Sequence, residues 1–283
     1  MVANPATKRR PQARFGKCKL TGVTGRYVEA HLIPKSLTRP SGKGVPFIQG
    51  GKGERPGYRW GGWYDPCLVV QKGENILTAL DTWAIPALRK NELIWSGWKS
   101  GSLTTPPVQI GPDGRGVRQI VGLDRDRLRL FFLSLLWRAA ATDRPEFAEV
   151  TIPEADLERL RQILLANDPA PLSFYPAVLC QLSTKGPTQN LSPFASTNYW
   201  PIENMTPRSL PIFRFFFDGL IAWIINDASA DEIVTSGKHI VVGYDSTLLV
   251  PTVVYEGSFQ MTNAIKGIRE TAAAFPMDVS RML

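Results

Sequence analysis

Residues 18–37 read CKLTGVTGRYVEAHLIPKSL. Two glycine-bearing turn signals, at Gly22 and Gly25, lead into Arg26-Tyr27-Val28-Glu29-Ala30-His31, which alternates as a half-buried strand does. Pro34 then suits a helix start or a turn. This stretch holds the first of three cysteines and one of two histidines.

Upstream, residues 1–14 form a flexible basic arm containing Lys8-Arg9-Arg10 and two prolines. Charge is concentrated at this end. Residues 1–60 hold 13 Lys+Arg and 2 Asp+Glu, or +11, and the remaining 20 basic and 23 acidic residues leave −3, which gives the whole-chain +8. A local positive field of this kind attracts polyanions, most simply DNA or RNA. Downstream, residues 40–62 are expected to be an irregular loop, with eight glycines and three prolines in 23 positions. Its Lys43, Lys52, Arg55 and Arg59 alternate with Phe47, Tyr58 and Trp60, a mixture suited to tracking a sugar–phosphate chain.

Residues 63–70 predict a short strand. Gly73-Glu74-Asn75 opens a helix whose apolar face runs Ile76, Leu77, Leu80, Trp83, Ala84, Ala87 and Leu88, with Pro86 expected to kink or restart it. Trp95 and Trp98 are read as packing aromatics. Residues 101–122 are a Gly/Pro-rich connector between units. Asp124 begins a strongly apolar, central helix with little polar face beyond Arg125, Arg127, Arg129 and Ser134. Thr151-Ile152-Pro153-Glu154 resembles a capping box ahead of another helix. Strands are expected at 174–182, 239–244 and 248–255. A hairpin is expected about Asp218-Gly219, and a last helix at 259–274.

An odd number of widely spaced cysteines argues against a disulfide framework and for a reducing, cytoplasmic setting. No apolar run reaches the ~18 residues of a membrane span, and the opening residues lack the apolar core of a signal peptide.

The element AHLIPK, with Cys18 thirteen positions before His31 and a Gly-Glu-Asn-led helix after it, resembles the HNH family of ββα-metal nucleases. It is most similar to the bacterial and phage branch carrying a His-hydrophobic-Ile-Pro-Lys signature, with FFLSLLWRAA as a further likeness. The resemblance covers residues 15–165 and implies a treble-clef or ββα unit at 15–100; together with the helices and hairpins expected downstream, the chain is expected to be α+β, with this unit packed on a helix-plus-antiparallel-sheet unit at 123–283. In that branch four thiolates bind zinc. Here Cys18-Lys-Leu-Thr21 keeps one thiol and Thr78-Ala-Leu-Asp81 keeps none, so no structural zinc is expected.

The resemblance also implies metal-assisted phosphodiester hydrolysis. His31 stands at the base position, and Asn75, which precedes Asp81 on the later helix, is the second catalytic candidate; Asp81, near the family's metal-ligand position, and Glu29, two strand positions before His31 and so on its side, are the expected oxygen ligands for Mg²⁺. The family's aspartate before the histidine is replaced by Ala30. Lys8, Arg9, Arg10, Arg14, Lys35, Arg39, Lys43, Lys52, Arg55 and Arg59 would hold the nucleic-acid backbone. The competing expectation is a catalytically inactive binding or scaffold module of a phage- or plasmid-borne assembly, with protein partners and no membrane contact.

Overall fold

The alternating segment of the opening stretch forms a strand, as its period requires. In the computed structural model the residues described are 14–38, 47–51, 54–59, 61–169, 171–187, 190–200, 208–227 and 230–276, with backbone alone for 47–51, 54–59, 200 and 271. Phe15–Lys17 (β1) and Thr24–His31 (β2) pair antiparallel. Phe47–Gly51 (β3) and Glu54–Arg59 (β4) then form their own two-stranded hairpin, and Tyr64–Val70 (β5) returns antiparallel to β2. Chain order thus gives a small sheet β1-β2-β5 followed at once by the helix Gln71–Lys90 (α1). The expectation of an irregular loop over 40–62 is corrected by the β3–β4 pairing: the glycines accompany a hairpin rather than forbid one.

Pro86 does not restart α1, which runs through it to Lys90. Thr82, whose carbonyl loses its partner at Pro86, is exposed together with Pro86, so water can replace the missing N–H.

The second sheet has seven strands. Val108–Gln109 (β6), Gly116–Val121 (β7), Ala177–Leu182 (β8), Phe194–Trp200 (β9), Arg208–Phe217 (β10), Leu220–Ile225 (β11) and Thr247–Val253 (β12) lie in the order β6-β7-β12-β8-β11-β10-β9. All neighbours are antiparallel except β12 and β8. The Gly/Pro-rich stretch 101–122 therefore supplies two strands of this sheet as well as a connection. At the β10–β11 turn both Asp218 (φ 50°) and Gly219 (φ 81°) are left-handed, as a tight two-residue hairpin demands.

Arg125–Ala141 (α2) is the central helix, started by Asp124, whose carboxylate accepts from the Arg127 amide. One continuous core runs from Cys18, Leu32, Leu68 and Leu77 through α2 to Leu179, Phe215, Ala222 and Val250. Both sheets share it, so the two halves are joined by a common interior. Arg129 and Ser134, expected on a polar face, are instead buried.

Glu154–Ala166 (α3) packs on α2, but no capping box forms: Pro153 takes the cap position and Thr151 donates to the Ala148 carbonyl. Ala230–Gly237 (α4) precedes a 3-10 turn at Lys238–Ile240 where a strand was expected. The positive φ of Lys238 (39°) turns the chain there, leaving Val241 a single bridge to Val178.

Phe259–Ala274 (α5) closes the described chain as expected. Trp95 and Trp98 cover the other face of the large sheet with Phe216, Ile221 and Tyr255. The Trp95 amide donates to the Asp218 carbonyl (2.8 Å), the Ser96 amide to the Asp218 carboxylate (3.1 Å), and Gly219 lies under the indole with no room for a Cβ. No helix among the described residues is long and apolar enough to cross a membrane.

Candidate functional site

The end of β2 and one face of α1 meet at the C-terminal part of α2. Glu74, Thr78 and Asp81 are spaced four and seven residues along α1 and so share a face. Into it projects Arg138, 1% exposed, from the apolar α2. Its Nη2 donates to Asp81 Oδ1 (2.7 Å) and its Nη1 to Asp81 Oδ2 (3.0 Å), a two-pronged pair. The same nitrogens reach the carbonyls of His31 (3.1 Å) and Leu77 (3.4 Å) and Ser134 Oγ (3.3 Å). One guanidinium thus ties the last residue of β2, the third turn of α1 and α2 together.

Titration in this cluster follows from burial. The half-buried His31 imidazole is pushed below its ordinary value, first by burial and then by Lys35; Arg138 acts in the same direction, against Glu29 and Asp81. It is therefore neutral at pH 7. Glu74 is pushed up by burial. Arg138 opposes that shift and Asp81 adds to it, while the Thr78 hydroxyl, which donates to Glu74 Oε1 (3.3 Å), lowers it. Glu74 Oε2 is buried without a hydrogen-bond partner.

His31 and Asp81 are thus brought into one electrostatic neighbourhood, but Glu29 and Asn75 do not complete it. Glu29 is exposed on β2. Asn75 is exposed on a different side of α1 and accepts from Gln71 Nε2 (2.8 Å). Mg²⁺ needs hard oxygens with free lone pairs at about 2.0–2.1 Å. Both Asp81 oxygens face a guanidinium whose own charge would repel a second cation, so this donor set does not fit Mg²⁺ while Arg138 holds its position. Among the described residues no three His, Cys, Asp or Glu side chains converge on a point.

Arg138 and Glu74 were not among the residues singled out from sequence. A single cation inside FFLSLLWRAA needs buried acceptors, of which a carboxylate is the strongest, and Glu74 lies one heptad before Asp81; both signals are in the sequence.

Cys18 forms a tight turn: its amide donates to Val23 O, the Gly22 amide to Cys18 O, and the Thr21 amide to Cys18 Sγ (3.3 Å). The sulfur lies against Gly73 in the first turn of α1, where an added Cβ would come within 2.8 Å of it. Burial raises this thiol, but the hydrogen bonds from Thr21 and neighbouring amides outweigh it and hold the thiol below its ordinary value.

Among the cationic candidates, Arg14 is exposed beside β1 and donates to Cys67 Sγ (3.3 Å), and Lys35 is exposed in the turn after β2. Lys8, Arg9, Arg10, Arg39, Lys43 and Lys52 lie outside the described residues, and Arg55 and Arg59 are placed only as positions on β4. Phe15, Lys17 and Arg26 are exposed as well, a placement that the alternation of Phe15-Gly16-Lys17 signals.

No protein-family model matches the chain, and no curated protein or solved structure is significantly similar to it.

Proposed function

We propose that the protein binds nucleic acid through its cationic N-terminal third and does not cleave it, with Arg138 supplying inside the fold the positive charge that a nuclease of this shape takes from a metal. The observation that carries this reading is the Asp81–Arg138 pair. It occupies both carboxylate oxygens, within reach of the His31 carbonyl, by a cation with no vacant coordination position. A treble-clef-like ancestry is supported by the order β2, β5, α1 and by the Cys18 turn meeting the first turn of α1 at Gly73. Nucleic acid as the partner is supported by the +11 of residues 1–60 and the exposure of Arg14, Lys17, Arg26 and Lys35. A cytoplasmic setting agrees with three thiols that are all unpaired.

The test is a binding and cleavage assay on the full chain with labelled DNA and RNA. Salt-dependent retention with no cleavage at millimolar Mg²⁺ or Mn²⁺ is expected, the slope falling by about 0.7–0.9 for each neutralised phosphate contact. Chelator-sensitive cleavage lost in His31→Ala would overturn the reading in favour of a metal-dependent endonuclease. Salt-insensitive or absent binding would overturn it altogether.

A further inference from the structure

We propose that the exposed face of β1 and β2 is a stacking platform for unpaired nucleotides, with Phe15 as the ring on which a base rests. This rests on the nucleic-acid-binding reading above and names the strandedness of the ligand. Phe15 is 72% exposed on a strand of three residues. Two positions on, Lys17 shares its face. Across the ladder Arg26 stands directly opposite Phe15, and Thr24 opposite Lys17. All four side chains are exposed, and Arg14 is exposed beside them.

The platform is fixed from behind. The Tyr27 hydroxyl donates to the Lys17 carbonyl (2.9 Å), and its ring fills the space a side chain at Gly16 would need. No described carboxylate forms an ion pair with Lys17 or Arg26. An apolar ring held in the open among unneutralised cations suits a ligand with a flat face and a negative backbone. Every nucleobase offers that face only when it is free of a partner strand's stack. A duplex could use the cations but not the ring.

A recess of about 590 Å³ adjoins the platform, lined by Lys17, Lys19, Thr21, Gly22, Glu158 and Arg161. Arg161 is held in place by Glu158 (2.7 Å) and the Leu20 carbonyl (2.9 Å). Arg161 is paired with Glu158 and Lys19 with Asp143 (2.6 Å), which leaves Lys17 as the lining cation with no described carboxylate partner. Lys17 belongs to both surfaces, so a strand whose base stacks on Phe15 can lay the next phosphate toward the recess.

The experiment measures binding of the full chain to a labelled single-stranded 20-mer of DNA, the same sequence as RNA, and the DNA duplex. Phe15→Ala, Phe15→Trp and Lys17→Ala/Arg26→Ala are compared with wild type. Phe15→Ala is expected to weaken single-strand binding about tenfold, as loss of one stacked base does, and to leave duplex binding within about twofold. Phe15→Trp is expected to restore affinity and add fluorescence quenching on binding. The double variant is expected to lower the salt slope on the single strand by about 1.4.

An equal loss on both forms, no loss on either, or displacement of the oligonucleotide by polyglutamate at equal charge would overturn the platform while leaving nucleic-acid binding standing. Absence of binding by the wild-type chain would overturn both. The DNA and RNA arms tell which strand chemistry is preferred.

Discussion

Arg129 and Arg138 lie on the same helix, each 1% exposed, and they meet burial in opposite ways. At the sheet-facing end, Arg129 donates only to main-chain carbonyls: Pro169 (2.8 Å), Pro171 (2.8 Å) and Phe174 (2.6 Å). Without a carboxylate nearby, burial pulls its guanidinium down to about 10. At the other end Arg138 faces Asp81 and holds the carbonyl of His31. The first arginine staples a loop. The second neutralises an acid that α1 presents, partly buried, at its contact with α2. A cation buried for stapling needs only acceptors; one buried opposite an acid implies that the acid was put there for a reason of its own.

The largest expected effect distinguishes the two. Arg138→Met leaves the partly buried Asp81 carboxylate (17% exposed) without its partner and should cost about 3 kcal/mol of stability, the low end for a buried pair, whereas Arg129→Met removes hydrogen bonds but strands no charge and should cost about 2 kcal/mol. Chemical denaturation of both variants measures this. Adding Asp81→Leu to Arg138→Met should return most of the loss, since an apolar pair of similar volume replaces a buried ion pair at little net cost. Additive losses would mean that Asp81 is not the reason Arg138 is charged.

A smaller effect comes from His31. Its folded value is depressed, so above its unfolded value of about 6.5 both states are neutral and the contribution is whole. As pH falls through the folded value the unfolded state binds the proton more readily, and stability is lost. Melting temperature should therefore drop between pH 7.5 and 5.5 in the wild type and less steeply in His31→Gln. A parallel drop in both would place the titration elsewhere. Glu74, whose value is raised, works in the opposite direction, losing stability as pH rises from about 4.5.

The smallest effect is a count of reactive thiols. Cys18 and Cys180 are 1% and 3% exposed, and burial pushes Cys180 up to about 12, while Cys67 is only half-buried. A thiol reagent should modify one cysteine in the native protein and all three after unfolding.

Much of the architecture could be read from local pattern. The Asp218-Gly219 turn, the start of α2 at Asp124 and the whole of α5 were legible because each depends on residues adjacent in the chain. The mixed helix-and-sheet class followed from these. Partnerships across the fold were not legible. Arg129 looks like a surface residue from helical spacing alone, and the carbonyls that hold it inside come from Pro169, Pro171 and Phe174, 40 or more residues away in the chain. His31 and Asp81 could be named as neighbours, but their separation by Arg138 depends on how α2 crosses α1, which no spacing within α1 records. The β3–β4 pairing was masked by its glycines, whose usual association with loops outweighed the Phe47–Ile48 and Tyr58–Arg59 alternation.

The seat of Trp95 on the Asp218-Gly219 turn has a consequence for synthesis. The indole leaves the ribosome 124 residues before the glycine it covers, an interval on the order of ten seconds at roughly 5–20 residues per second. During that time the nascent chain carries bare tryptophans with nothing to lie on, and a stalled or truncated translation product would keep them bare.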